Sequence, residues 1–155
     1  MNMTNKDIQQ QMSRFKEDCR NLGVKLTHQR MEIFREVLQT EKHPDAETVY
    51  RGVRRRMPTV SLDTVYRTLW WLKDIGLITT LGISRDRTRF DANLTRHHHF
   101  VCNQCGKTRD FYSDVFDSLK PPDSVQSIGH AERVQVEIRG LCLKCAGSGK
   151  PDAKK

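Results

Sequence analysis

Four of the five cysteines in this 155-residue chain fall into two Cys-x-x-Cys pairs, Cys102/Cys105 and Cys142/Cys145, with 36 residues between the pairs. No other feature constrains the fold as tightly. Each pair can turn two sulfurs towards one point, and two pairs supply the four thiolates that tetrahedral zinc takes. Gly106, directly after the first pair, permits the tight turn this needs. A site closed by four protein ligands keeps no open position, so it holds a fold and does no chemistry. In a small domain such a bond contributes directly to folding. The competing reading is a pair of redox dithiols. A thioredoxin-like pair opens a helix in a βαβ unit, and neither pair is placed that way. Cys19 stands alone in an amphipathic segment and is expected to be inert.

The residues ahead of the cysteines have helical spacing. A polar helix is expected over about 5–20. In 27–39, Thr27 is placed to cap a helix whose Met31, Phe34, Val37 and Leu38 share a face. Asp45 can cap a third helix carrying Val49, Val53 and Met57, which Pro58 ends. Only three residues then precede Ser61, the cap of a fourth helix with Leu62, Val65, Leu69 and Leu72 as its buried stripe and Gly76 as its stop. Two helices across so short a turn make a helix-turn-helix. The following LITTL and TRF runs flank a charged turn and read as a hairpin, completing a winged helix. Arg85, Arg87 and Arg89 sit on that wing. Arg54, Arg55 and Arg56 taken alone read as a solvated helix face.

Charge agrees with a nucleic-acid partner. The chain carries net +8, and residues 1–90 hold most of it, with 17 basic against 11 acidic side chains. With 30% charged residues and no apolar run of spanning length, a membrane protein is excluded as an expectation. The first twenty residues lack the apolar core of a secretory signal. The expected compartment is therefore the cytoplasm, where cysteines stay reduced.

The second half changes character. HHHFVC, KTRDFY and RVQVEIRG read as short strands and SDVFDSL as a short helix, giving a small α+β domain with an antiparallel sheet. Alternation on a strand lets His97 and His99 share a metal while His98 points away. Asp91 and Asp110 lie near strand ends in the same region. Imidazole plus carboxylate is a harder donor set than four thiolates and suits Fe(II), Mn(II) or Zn(II) in an exchangeable site. The plainer reading makes the three histidines surface residues of an edge strand, and His43, before Pro44, a loop histidine. A hydrolytic metal enzyme is a third possibility, but no glutamate is placed as general base beside the histidines. A zinc-ribbon interaction module that ignores regulatory metal is a fourth.

The order HPDAETVY, VSLDTVYRTL, RFD, HHHFVCNQCGK, RDF and EIRGLCLKC, over roughly residues 10–146, resembles the ferric uptake regulator (Fur) superfamily. The resemblance implies an α+β protein, not an enzyme: a dimeric, metal-dependent transcription factor. Residues 1–91 would be its winged-helix DNA-binding domain with wing and hinge and 92–146 its metal-binding dimerisation domain; 147–155, GSGKPDAKK, reads by composition as a disordered tail. It further implies structural Zn2+ on Cys102, Cys105, Cys142 and Cys145, and regulatory Fe2+ or Mn2+ on His43, Asp91, His97, His99 and Asp110. That second site would join the two domains and set their orientation, so that the winged helices of a dimer meet successive major grooves of a double-stranded DNA operator. Arg30 matches a family phosphate contact, and Thr64, Tyr66 and Arg67 lie on the matching recognition helix.

Iron-responsive members commonly carry Glu where this chain has Asp91 and Asp110, which resembles the peroxide-sensing branch. In that branch bound Fe(II) reacts with hydrogen peroxide and a ligand histidine is oxidised, here His43 or His97. The metal is then lost and the repressor leaves DNA. The alternative within the family is a repressor that senses iron or zinc availability. The chain departs from the pattern at His28, where Pro is frequent, and at Arg139, where an aromatic is usual. It also lacks a histidine near Arg133 or Val134 that many members carry.

Overall fold

The computed structural model describes residues 3–40, 43–81 and 88–147. The described residues divide between Leu94 and Thr95 into two compact units. Among the described residues, no helix is long and apolar enough to cross a membrane.

The first unit opens with four helices, each started by a side-chain cap. Thr4 and Asp7 form a reciprocal capping box on α1 (Asn5–Asn21). Thr27 accepts the Arg30 N–H at the start of α2 (His28–Gln39). Asp45 accepts from Thr48 on α3 (Ala46–Arg54), and Ser61 from Thr64 on α4 (Leu62–Asp74). Gly76, at φ 77°, takes the left-handed turn that ends the fourth helix. The stripes named from spacing meet in one core: Phe34, Val37, Leu38, Val49, Val53, Val65, Leu69 and Leu72 are all buried, joined by Phe15 and Ile33. Phe15 packs on Phe34 with ring centroids 4.8 Å apart. α3 ends at Arg54 rather than at Met57, because Arg56 and Met57 both turn their N–H groups back to the Val53 carbonyl and close the chain ahead of Pro58.

Arg56 departs from the expected solvated face. Its guanidinium donates to Glu32 and Glu36 of α2 at 2.7 Å each, and Glu32 is buried and also accepts from Arg35. The turn between α3 and α4 is thereby tied to α2. β1 (Thr79–Leu81) and β2 (Arg89–Asp91) then pair antiparallel as the base of the wing, with Thr80 opposite Phe90. Arg85 and Arg87 lie outside the described residues. The tail from residue 148 onward does as well.

The second unit is a three-stranded sheet in the order β4-β3-β5, with β3 (His98–Cys102) in the middle. β4 (Thr108–Phe111) pairs with β3 antiparallel, as expected. β5 (Glu137–Gly140) pairs with β3 in parallel. A run that returns to the far edge of β3 after a connection from Phe111 to Glu137 is free to take either direction, and strand patterning does not set it. β5 is also shorter than the apolar alternation of 133–140 suggests. The Val136 N–H goes to the His98 imidazole, so the ladder starts only at Glu137. α5 (Asp114–Asp117), a 3-10 turn (Asp123–Val125) and α6 (Leu143–Gly147) complete the unit.

Leu69 is fully buried at the centre of the first unit. Leu69→Ala is expected to lower stability by about 2–5 kcal/mol in urea unfolding followed by helical circular dichroism. A loss below about 1 kcal/mol would show that the α4 stripe is not the core.

Candidate metal centres

The hairpin turn between β3 and β4 and the start of α6 bring the four paired cysteines together, all four sulfurs within 4.8 Å of one another. Cys105 and Cys142 stand 3.8 Å apart, which is the separation of two sulfurs bonded at about 2.3 Å to one tetrahedral zinc. Gly106, at φ 68°, makes the turn after the first pair. The electrostatics also call for a cation. Backbone N–H groups, chiefly that of Cys105 and then that of Cys142, hold the Cys102 thiol down to about 6. Cys145, whose hydrogen goes to Cys142 among its crowded neighbours, is pushed up to about 12. One sulfur is readily ionised and the last is not, so full deprotonation needs positive charge at the centre of the group. The donor set and its spacing fit structural zinc.

The harder ligands are found as two groups, one in each unit. In the first unit, Asp91 at the end of β2 faces His43, with Oδ2 3.5 Å from Nε2, both residues buried. The other Asp91 oxygen accepts the Asn93 N–H at 2.8 Å. His43 adopts φ 47°, the left-handed region that a non-glycine residue occupies at a cost. Its following residue is anchored, because the Phe90 N–H donates to the Pro44 carbonyl at 2.9 Å.

In the second unit, the β3–β4 register sets His99 opposite Asp110. Asp110 Oδ1 lies 3.5 Å from His99 Nε2 and 3.8 Å from His97 Nε2. The two imidazole Nε2 atoms are 3.0 Å apart, with their rings nearly perpendicular. Ligand atoms about 2.1 Å from one ion stand roughly 3.0–3.4 Å apart, so these three donors fit a single metal. None of His97, His98 and His99 is a surface residue, and the strand they begin is central rather than an edge. His98 points to the other face, as alternation requires, and lies 3.2 Å from Asp117 between Phe111 and Phe116.

The proton positions follow from the partners. His97 Nδ1 must donate to the Thr95 carbonyl, 2.7 Å away, which leaves Nε2 with its lone pair. Gln135 Nε2 donates to His99 Nδ1 at 3.0 Å, so the His99 proton sits on Nε2 and points at His97. A metal on both Nε2 atoms must displace that proton. The imidazole then carries its hydrogen on Nδ1, and the Gln135 amide has to present oxygen instead of nitrogen. Gln135 had no signal in the sequence; the chain order 133–140 gives no hint that its side chain reaches back to the histidines.

The residues named for DNA contact are partly brought together. Lys25, Thr27, Arg30, Asp63, Thr64 and Arg67 line one open groove of about 400 Å3 between the N-terminal ends of α2 and α4. Arg30 lies 4.1 Å over the Trp71 ring and donates to the Lys25 carbonyl, so its guanidinium is held in place. Arg67 pairs with Asp63 at 2.9 Å on the exposed face of α4. Tyr66 is exposed on the same helix but does not line the groove.

A winged-helix unit and a metal-binding α/β unit with two donor sets of different hardness define a metal-dependent regulator. The chain belongs to the ferric uptake regulator family, whose sequence pattern matches residues 21–137. It is 32% identical over 130 residues to the peroxide-responsive repressor PerR of Staphylococcus epidermidis, an alignment that covers 84% of this chain and 87% of that one. Its fold matches the ferric uptake regulator Fur of Helicobacter pylori, described as having three functional metal-binding sites, with a TM-score of 0.72 at 19% identity over 94% of this chain and 96% of that one. The PerR structure from Streptococcus pyogenes, described as a structural basis for peroxide sensing and gene regulation, matches with a TM-score of 0.50 at 30% identity over 86% and 92% of the two chains.

Two outcomes are expected. Gln135→Leu should weaken Mn(II) binding about 10–100-fold in competition with a chelating dye, with zinc content unchanged; an unaltered affinity would show that the amide does not support His99. Zinc loading of the metal-free protein at pH 7 should release fewer than one proton per cysteine, because Cys102, held near 6, is already ionised while Cys145 is not. Calorimetry in buffers of different ionisation enthalpy counts them, and release of one proton for every cysteine would contradict the assignment.

Proposed function

We propose that the chain is a cytoplasmic, metal-dependent DNA-binding repressor that senses hydrogen peroxide by iron-catalysed oxidation of a ligand histidine. The observation that carries this reading is the chemistry of the second donor set. His43, Asp91, His97, His99 and Asp110 offer only nitrogen and oxygen, a set that accepts Fe2+ or Mn2+ and leaves room for a small oxidant. In this reading Cys102, Cys105, Cys142 and Cys145 hold Zn2+ and keep the second unit folded. The five harder ligands act together, two from the part up to residue 91 and three from 92–146, so that one ion fixes both parts. Similarity to the staphylococcal peroxide-responsive repressor supports a repressor that responds to peroxide.

When bound, Fe(II) activates peroxide. One peroxide oxygen is inserted at the imidazole carbon between the ring nitrogens of His43 or His97, and the other leaves as water. The oxidised ring binds the metal poorly, the two parts lose their common anchor and the protein leaves its operator. Mn(II) in the same site supports DNA binding without this sensitivity. Arg30 serves as a phosphate contact, and Thr64, Tyr66 and Arg67 face the bases or backbone from α4. A homodimer suits both palindromic DNA and the surface of the second unit. Among the described residues β5 pairs with β3 on one side only, and Ile138, Leu141 and Leu143 around it are exposed, Leu143 at 94%. The chain acts by binding, not by turning over a substrate.

The test is to load the zinc protein with Fe(II), add a slight excess of hydrogen peroxide, and map added oxygen by peptide mass spectrometry beside a Mn(II)-loaded control. A gain of one oxygen on His43 or His97 in the iron sample alone is the expected result. Unmodified histidines with iron bound would discard peroxide sensing and leave a regulator of iron or zinc availability.

A further inference from the structure

Two of the residues assigned to the regulatory metal are connected to the recognition helix inside the first unit, by a route that needs no movement of the second. We propose that Phe90 and Trp70 are positioning residues that pass the state of His43 and Asp91 to α4. The inference rests on the metal-dependent reading above and adds to it a path and two residues.

Three contacts define the path. Phe90 directly precedes Asp91 on β2, and its N–H donates to the carbonyl of Pro44, the residue after His43. Asp45 and Arg89 form a bridge beside this bond, so the segment carrying His43 and the strand carrying Asp91 are joined along their length. On a strand, successive side chains face opposite ways, so Asp91 faces His43 while Phe90 faces the core. The Phe90 ring is fully buried and meets Trp70 of α4 edge to face, with centroids 6.0 Å apart at 81°.

Trp70 lies one helical turn after Tyr66 on α4. It is 42% exposed, and the Lys73 ammonium stands 5.6 Å over its ring. A tryptophan kept half in solvent is not there to fill the core, and its contact with Phe90 is specific in geometry. A buried ring in a close-packed interior has no slack, so a shift of β2 has to move Phe90 against Trp70. Phe90 also pairs with Thr80 across the hairpin, so the same contact sets the base of the wing against the recognition helix. A metal that fixes Asp91 and His43 therefore fixes the seat of α4 as well as any relation between the units.

The experiment uses the full zinc-containing chain and a duplex selected from a random-sequence pool by the Mn(II)-loaded protein. DNA affinity is measured by anisotropy with and without Mn(II) for the wild type, Trp70→Leu and Trp70→Phe, each checked for helical content. Trp70→Leu is expected to cut the Mn(II)-induced gain in affinity about 2- to 10-fold while leaving metal-free affinity and Mn(II) binding unchanged, and Trp70→Phe to restore most of the gain. Trp71→Phe leaves Trp70 as the sole tryptophan. Its emission maximum is expected to shift on Mn(II) addition, and not to shift when Asp91→Ala is added.

Equal gains in the wild type and Trp70→Leu, or an emission maximum that ignores Mn(II), overturn the coupling and leave the regulator reading standing. A loss of affinity equal with and without Mn(II) makes Trp70 a direct DNA contact and also overturns it. A wild type whose DNA binding ignores Mn(II) overturns the regulator reading, and the coupling with it.

Discussion

Four sulfur atoms within 4.8 Å of one another cannot all carry charge unless a cation sits among them, and the second unit has little else to hold it. Among its described residues, Cys102 is the one buried residue of apolar type; the other buried side chains are His97, His98, His99 and Thr108. A unit of this size with an interior of imidazoles is poor in the burial that stabilises ordinary domains. The sulfur cluster joins the β3–β4 turn to the start of α6, which is the closure a missing apolar core would otherwise supply. The candidate ligands His97, His99 and Asp110 lie on or beside those same strands. In the proposed reading, their alignment depends on the zinc held by the four sulfurs.

The first unit is built on the opposite principle. Its apolar side chains pack into one continuous cluster, and its candidate metal ligands lie on the His43 segment and at the end of β2. Arg56, held by Glu32 and Glu36, makes α2 and the turn before α4 one piece. In the proposed reading, a helix mounted this way is moved as part of a body rather than bent to fit DNA.

The sequence was most legible where the physics is local. Caps at Thr27, Asp45 and Ser61, the stop at Gly76 and the stripes through Val49 and Leu69 follow from hydrogen-bonding capacity and helical period, and the structure keeps all of them. The cysteine pairs and the His97/His99 alternation were legible for the same reason. Contacts between segments distant in the chain were not. The parallel direction of β5, the reach of Gln135 to His99, the pairing of Arg56 with α2 and the Trp70–Phe90 contact all depend on where the chain returns after a long excursion. A run of three arginines looks solvated until a buried glutamate is found opposite one of them.

His43 has a consequence of its own. A backbone at φ 47° is one that glycine would accept without penalty and histidine accepts at a cost of about 1–2 kcal/mol. In the proposed site, a bond from this ring to the metal would offset that cost. Under the proposed oxidation, a ring that has lost its lone pair would leave that backbone cost with nothing opposing it. In the proposed mechanism this gives the switch a preferred direction: damage to the ring favours release and does not favour recapture.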